Sequence, residues 1–151
     1  MNTFIQKNYI RDKRSPKPSS VLASKVMSSI HGKDTKPEMV IRKLLWQNDL
    51  KGYRVHWKKV FGRPDIAYPS KKLAIFINGC FWHRCPKCDL PIPKSNREFW
   101  ENKFVNNIIR DSMKINRLEQ LGWDVLVFWE CDILSEPKVL INKVREKLSK
   151  S

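Results

Sequence analysis

Three cysteines crowd into nine residues of this chain, Cys80, Cys85 and Cys88, and a fourth, Cys131, stands alone downstream. A Cys-x4-Cys-x2-Cys run closed by a distant thiol can surround one soft metal ion without straining the backbone between its ligands. A single buried cysteine often serves as a small apolar side chain, but three of them in a loop with Pro86 and Lys87 have no core to fill. The same spacing also fits a plant-type two-iron, two-sulfur cluster. Two features favour zinc. Phe81, Trp82, His83 and Lys87 are bulky or basic where a cluster would need close wrapping by main-chain N–H groups, and the whole chain is strongly basic.

Other residues have acid–base or metal-binding chemistry. Asp65 follows Gly62-Arg63-Pro64 at the mouth of an expected strand. A carboxylate there suits magnesium, which takes oxygen ligands and keeps several waters, although Pro-Asp is also ordinary turn chemistry. His83, held between cysteines, can move a proton near neutral pH; its blander role is a hydrogen bond to a thiolate. Glu38 closes Thr35-Lys36-Pro37-Glu38, a capping box that by itself accounts for the carboxylate. Phe81 and Trp82 are adjacent in a loop and cannot both easily turn into one core. Trp46, Trp123 and Trp129 fall in periodic runs that read as packing.

The elements that must position these residues follow from periodicity. Residues 1 to 19 carry Lys7, Arg11, Lys13, Arg14 and Lys17 with Pro16 and Pro18, the composition of a basic flexible arm or of a solvated tail. Residues 20–151 read as one domain. A short helix is expected over Ser20 to Ser29, and a second from Lys36 to about Asn48, with Val40, Ile41, Leu44 and Leu45 as its buried stripe. Tyr53, Val55 and Trp57 alternate with Arg54, His56 and Lys58, the pattern of a strand with one wet face. Ile66 to Tyr68, a turn at Pro69 to Lys72, and the apolar run Leu73 to Ile77 read as a hairpin ending in a buried central strand. Ser95-Asn96-Arg97-Glu98 is a second capping box, opening a long helix through Phe99, Trp100, Phe104, Ile108, Asp111, Ile115 and Leu118. The run Trp123 to Trp129 then leads to Cys131. For that thiol to reach the cysteine loop, its strand must lie parallel to Leu73–Ile77 with the long helix as crossover. A last helix spans about Glu136 to Leu148.

The chain has 151 residues, 41% hydrophobic, enough for one domain with a core, and a formal charge of +15 from 30 Lys and Arg against 15 Asp and Glu. Such a charge gathers polyanions, nucleic acid first. No stretch approaches the roughly 20 apolar residues of a membrane span, so a cytoplasmic location is expected. Reduced thiols agree with it.

Gly62-Arg63-Pro64-Asp65, the run Ile75 to His83, Glu98-Phe99-Trp100, and Leu121-Gly122-Trp123 through Trp129-Glu130-Cys131 closely resemble the very short patch repair endonucleases, in order and separation, over roughly Ala23 to Leu134. The resemblance implies an α/β, restriction-endonuclease-like core: a central mixed sheet flanked by helices, with a structural zinc. It also implies magnesium-dependent nicking of duplex DNA 5′ to the thymine of a T·G mismatch. Asp65 corresponds to the magnesium-binding carboxylate, the main-chain carbonyl of Ile77 to a second ligand, His83 to the catalytic histidine and Glu38 to a supporting acid. Phe81, Trp82 and Trp100 match the aromatics that intercalate into DNA. Cys80, Cys85, Cys88 and Cys131 take the zinc positions, Cys85 where some members use His. Asn78 stands where the best-known pattern has a second histidine; it can hydrogen-bond a water or phosphate beside the site but cannot carry a proton.

The expected partner is therefore double-stranded DNA with a mismatched base pair, met by a monomeric, nucleoid-associated enzyme. Two other readings use the same residues: a restriction-type endonuclease cutting a fixed site, and a non-catalytic zinc-stabilised DNA-binding module. Asp65 separates the last from the enzymes, because a carboxylate facing phosphate repels it unless a metal intervenes.

Overall fold

In the computed structural model, which describes residues 17, 18, 20–28 and 32–150, the apolar run in the middle of the chain forms the strand β3 (Leu73–Asn78), five of whose six residues are buried. Its antiparallel neighbour is β2 (Ile66–Tyr68), joined to it by a 3-10 turn at Pro69–Lys71, with Ile66 opposite Ile75 and Tyr68 opposite Leu73. The short β1 (Arg54–Val55) extends that edge. On the other side β4 (Asp124–Trp129) lies parallel to β3, in register from Leu73 opposite Asp124 to Asn78 opposite Trp129. The sheet is thus mixed, in the order β1-β2-β3-β4.

Parallel strands cannot be joined by a tight turn, and the 24-residue helix α3 (Arg97–Gln120) makes the return. Gly122, in the left-handed region at φ 78°, turns the chain from that helix into β4. The other helices are α1 (Val21–Ser28), α2 (Lys36–Gln47), α4 (Glu130–Ser135) and α5 (Pro137–Ser149).

Two apolar layers hold the sheet. On one face Ile66, Leu73, Ile75 and Phe128 pack with Ile41 and Leu45 of α2, Ile133 of α4, and Leu140, Ile141 and Val144 of α5. On the other, Ala74 and Phe76 meet Val60 and Leu118, with Trp57, Trp123, Val125 and Val127 half-buried around them. The second layer is far smaller, so α3 carries Val105, Ile109 and Met113 exposed to solvent.

Several expectations need correction. Neither capping box forms. Thr35 makes no side-chain cap; its Oγ1–H instead donates to Glu38 Oε1 at 2.9 Å. Asn96, in the left-handed region, precedes α3 in place of a Ser95 cap. The chain turns helical at Glu130, so Cys131 lies in the first turn of α4 and not at the end of a strand. Trp46 is 62% exposed, with the Lys51 ammonium over its ring, and is not core. The arm expected over residues 1 to 19 lies, apart from residues 17 and 18, outside the described residues.

Candidate active site and metal centre

The loop after β3 and the start of α4 bring the four cysteines together. Their sulfurs all lie within 4.8 Å of one another. Cys85 and Cys131 Sγ are 3.8 Å apart, and the Cys131 N–H points at Cys80 Sγ at 3.4 Å. Tetrahedral ligation at a metal–sulfur distance of about 2.3 Å separates sulfurs by about 3.8 Å, so the cage has the dimensions of a four-thiolate metal site. All four cysteines are free of disulfides. The start of the loop is tied twice: Glu130 Oε2 accepts the Cys80 N–H at 3.2 Å, and Asn107 of α3 donates to the Trp82 carbonyl at 3.0 Å. Burial pushes the Cys80 thiol up, so a bound cation is what would hold it as a thiolate.

Asp65 sits just before β2, where Gly62-Arg63-Pro64 turns the chain in. Gly62, at φ 78°, has the Lys114 side chain 3.3 Å from where a Cβ would stand. One oxygen of Asp65 is fixed: Oδ2 accepts the Ile77 N–H at 2.7 Å, beyond the end of the β2–β3 ladder. N–H and C=O of a strand residue leave by the same edge, so the Ile77 carbonyl also points to the Asp65 side of β3. The pair is an all-oxygen donor set of the kind a hard cation takes. Burial raises the Asp65 carboxyl above its ordinary value, against the Ile77 N–H; Glu38 repels its charge while His56 and Lys114 favour it. Asp65 and His56 line an open cleft of about 500 Å³ together with Phe61, Arg63, Arg110 and Lys114.

His83 is oriented from α3. Its Nδ1 is hydrogen-bonded to Asp111 Oδ2. With the carboxylate taking Nδ1–H, Nε2 is left as the nitrogen able to accept a proton. Asp111 carries a sequence signal, being the one acidic residue among the apolar positions that trace α3.

Glu38 is buried, at 3% exposure, and holds four neighbours. It accepts from Thr35 Oγ1, from the Asp34 N–H at 3.1 Å and from Arg42 Nη2 at 3.0 Å, and its Oε2 is 3.3 Å from His56 Nε2. The capping explanation for Glu38 therefore does not hold. His56 was expected on the wet face of a strand; instead its φ of 46° swings it off β1 and inward, to 3.8 Å from Asp65 Oδ1. Periodicity carries no signal for such a turn. Asp34, Glu38 and His56 also cluster closely enough to ligate a metal, but the Arg42 guanidinium already reaches all three, through Nη1 to Asp34 at 2.6 Å and Nη2 to the other two. Asn78, at the end of β3, is buried.

The aromatics expected as a wedge pack on one another. Phe81 meets Trp82, Trp100 and Phe104 in edge-on contacts with centroids 5.1, 5.7 and 5.3 Å away, and Lys103 Nζ lies over Trp82 and Trp100. Trp100 is 8% exposed, while Phe81 and Trp82 are half-buried.

The cleft that holds Asp65 is lined by basic side chains, and His83 is held by Asp111 of α3; comparison with known proteins gives the class, a DNA endonuclease. The chain belongs to the DNA mismatch endonuclease Vsr family: that family's profile matches residues 19–89, and full relatives extend the match. The type II nicking enzyme V.NmeAIP of Neisseria meningitidis is 44% identical over 110 residues, covering 72% of this chain and 76% of that protein. The DNA mismatch endonuclease Vsr of Escherichia coli K12 is 36% identical over 125 residues, 83% and 80% of the two chains. V.XorIIP of Xanthomonas oryzae, another type II nicking enzyme, is 36% identical over 126 residues, 83% and 91%. No helix among the described residues is long and apolar enough to cross a membrane.

Proposed function

We propose that this protein is a mismatch endonuclease that nicks duplex DNA 5′ to the thymine of a T·G pair, with magnesium at Asp65 and the Ile77 carbonyl and a structural zinc in the Cys80, Cys85, Cys88 and Cys131 cage, on a restriction-endonuclease-like core. The observation that carries it is Asp65: one carboxylate oxygen pinned by the Ile77 N–H, the other facing a cleft lined by Arg63, Arg110 and Lys114. A site built only to bind DNA gains nothing from a half-buried acid facing phosphate.

Magnesium bound there would neutralise charge on the phosphate and supply a water of lowered pKa. Arg63, Arg110 and Lys114 draw the DNA backbone to the cleft mouth. Asp65 keeps its open oxygen aimed inward because Oδ2 cannot turn away from Ile77. His83, its tautomer set by Asp111, presents Nε2 to take a proton or, once charged, to return one. The edge-on cluster of Phe81, Trp82 and Trp100 is the reservoir for a wedge: leaving the cluster to enter a stack costs its ring contacts, and a mispaired step lowers the cost of opening the stack. Two of the relatives are named as nicking enzymes, which favours one cut strand over a restriction-type double cut.

The test is a hairpin duplex with a single T·G pair beside its T·A twin, incubated with protein and magnesium. One nick 5′ to the thymine, on the T·G duplex alone, is expected. Equal cutting of both duplexes at a fixed sequence would replace this reading with a restriction enzyme, and no cutting of either with a DNA-binding module.

A further inference from the structure

We infer that His56 is a positioning residue for the Asp65 carboxylate, its tautomer set by Arg42 and Glu38, so that a chain of contacts running from α2 holds the metal-binding acid in place. The inference rests on the proposed role of Asp65 and adds the device that aims it.

The argument starts at Arg42. A guanidinium donates hydrogen bonds and accepts none. Its Nη2 lies 3.0 Å from His56 Nε2, so that nitrogen must be the acceptor and the ring proton must sit on Nδ1. Glu38 Oε2, 3.3 Å from the same ring nitrogen, shares the Arg42 donor at 3.0 Å instead of receiving a second imidazole proton. Nδ1–H then faces Asp65 Oδ1 across 3.8 Å. That oxygen is the one the Ile77 N–H leaves open.

The backbone reinforces the placement. The His56 N–H donates to the Asp65 carbonyl at 3.1 Å, which locks the two residues side by side where β1 ends. A non-glycine residue at φ 46° is held there only when its surroundings demand it. Arg42 meets a similar demand: its side chain is 14% exposed and its Nε is buried with no partner, a cost borne while both Nη atoms stay engaged. The assembly thus resembles the hydrogen-bonded support that ligating carboxylates receive in metal sites, where loss of a supporting residue typically costs about 10–100-fold in metal affinity or activity.

Two measurements test it. Nicking is followed under single turnover for wild type, Asp65→Asn, His56→Leu and His56→Asn, with magnesium titrated and DNA affinity measured separately. Asparagine places an amide N–H close to the position of Nδ1. The expected result is that His56→Leu loses about 10–100-fold in rate and needs more magnesium for half-saturation at unchanged DNA affinity, while His56→Asn recovers most of both. If wild type nicks, Asp65→Asn does not, and His56→Leu matches wild type in rate and magnesium demand, the positioning role is overturned and the proposed function stands. A wild-type protein that nicks nothing overturns both. Long-range 15N–1H NMR of histidine-labelled wild type, which no folding defect can confound, should show His56 as the Nδ1–H tautomer at neutral pH. Finding Nε2–H, or both nitrogens protonated, overturns the inference.

Discussion

The cysteine cage and the Asp34–Glu38–His56 cluster both gather potential metal ligands within 4.8 Å, yet they are opposite objects. In the cage, soft donors converge on one point at the spacing tetrahedral ligation requires, and burial disfavours the Cys80 thiolate until a cation arrives. In the cluster a cation is already present, because the Arg42 guanidinium bonds all three groups. Closeness of ligands therefore does not make a metal site; what already satisfies them decides. The acid proposed to bind metal is Asp65, next door, whose Oδ1 has no Lys or Arg within ion-pair distance among the described residues.

The largest expected effect falls on the cage. Structural zinc contributes apparent folding free energy on the order of 10 kcal/mol in small domains. Cys131→Ser should therefore lose the cooperative melt and the bound metal together, seen by circular dichroism and metal analysis. A Cys131→Ser protein that melts like wild type would make the cage ornamental. A brown wild-type protein would make it an iron–sulfur site.

Asp111→Asn sharpens the other region. An amide can donate to His83 Nδ1 and so permit the wrong tautomer, and positioned proton transfer is worth about 10²–10⁴-fold. Nicking should fall by at least about 10² with zinc content and DNA affinity unchanged. An unaffected rate would leave His83 a structural neighbour of the cage.

Next comes recognition. Trp82→Ala should reduce the preference for T·G over T·A duplex by about 1–3 kcal/mol, the usual worth of an aromatic–base stack, and leave general DNA affinity less changed. Equal losses on both duplexes would return Trp82 to the edge-on cluster with Phe81 as packing.

The smallest effect is on stability. Burial holds the Asp65 carboxyl above 3.8 in the folded state, so the folded chain binds that proton more tightly than the unfolded one. The stability it contributes is complete below the unfolded value and is lost as pH rises through the folded one. At neutral pH without metal, Asp65→Asn should then melt slightly higher than wild type, by about 2–4 °C for each kcal/mol recovered in a chain of this size. The gain should shrink toward pH 3. A lower melting temperature at pH 7 would mean that the anion is stabilised by its neighbours more than it is penalised.

How much of this was legible in the sequence follows the same division. The cage was readable because three ligands share nine residues and a fourth thiol was needed to close the set, which is what required β4 to lie parallel to β3, as it does. The hairpin, the crossover helix and the place of Asp65 followed from apolar runs and turn residues. The network around Asp65 was not readable. Glu38, Arg42 and His56 come from a helix and from a strand end whose left-handed φ reverses the side expected from alternation. A capping box offered Glu38 a local partner that the folded chain does not use, since Arg42 and the Asp34 N–H hold the carboxylate instead. Trp46 failed for a related reason: its place beside an apolar stripe says nothing about whether another element covers it.

The most direct measurement is the nicking rate of Asp65→Asn on the T·G hairpin with magnesium saturating, on protein shown to be folded and to hold its full metal content in the cysteine cage. Losing the charge of a metal-binding carboxylate removes several kcal/mol of transition-state stabilisation, so a drop of about 10³-fold or more is predicted, with DNA binding retained or tightened. An Asp65→Asn protein that nicks at near the wild-type rate would contradict the account and leave a metal-held DNA-binding fold without this active site.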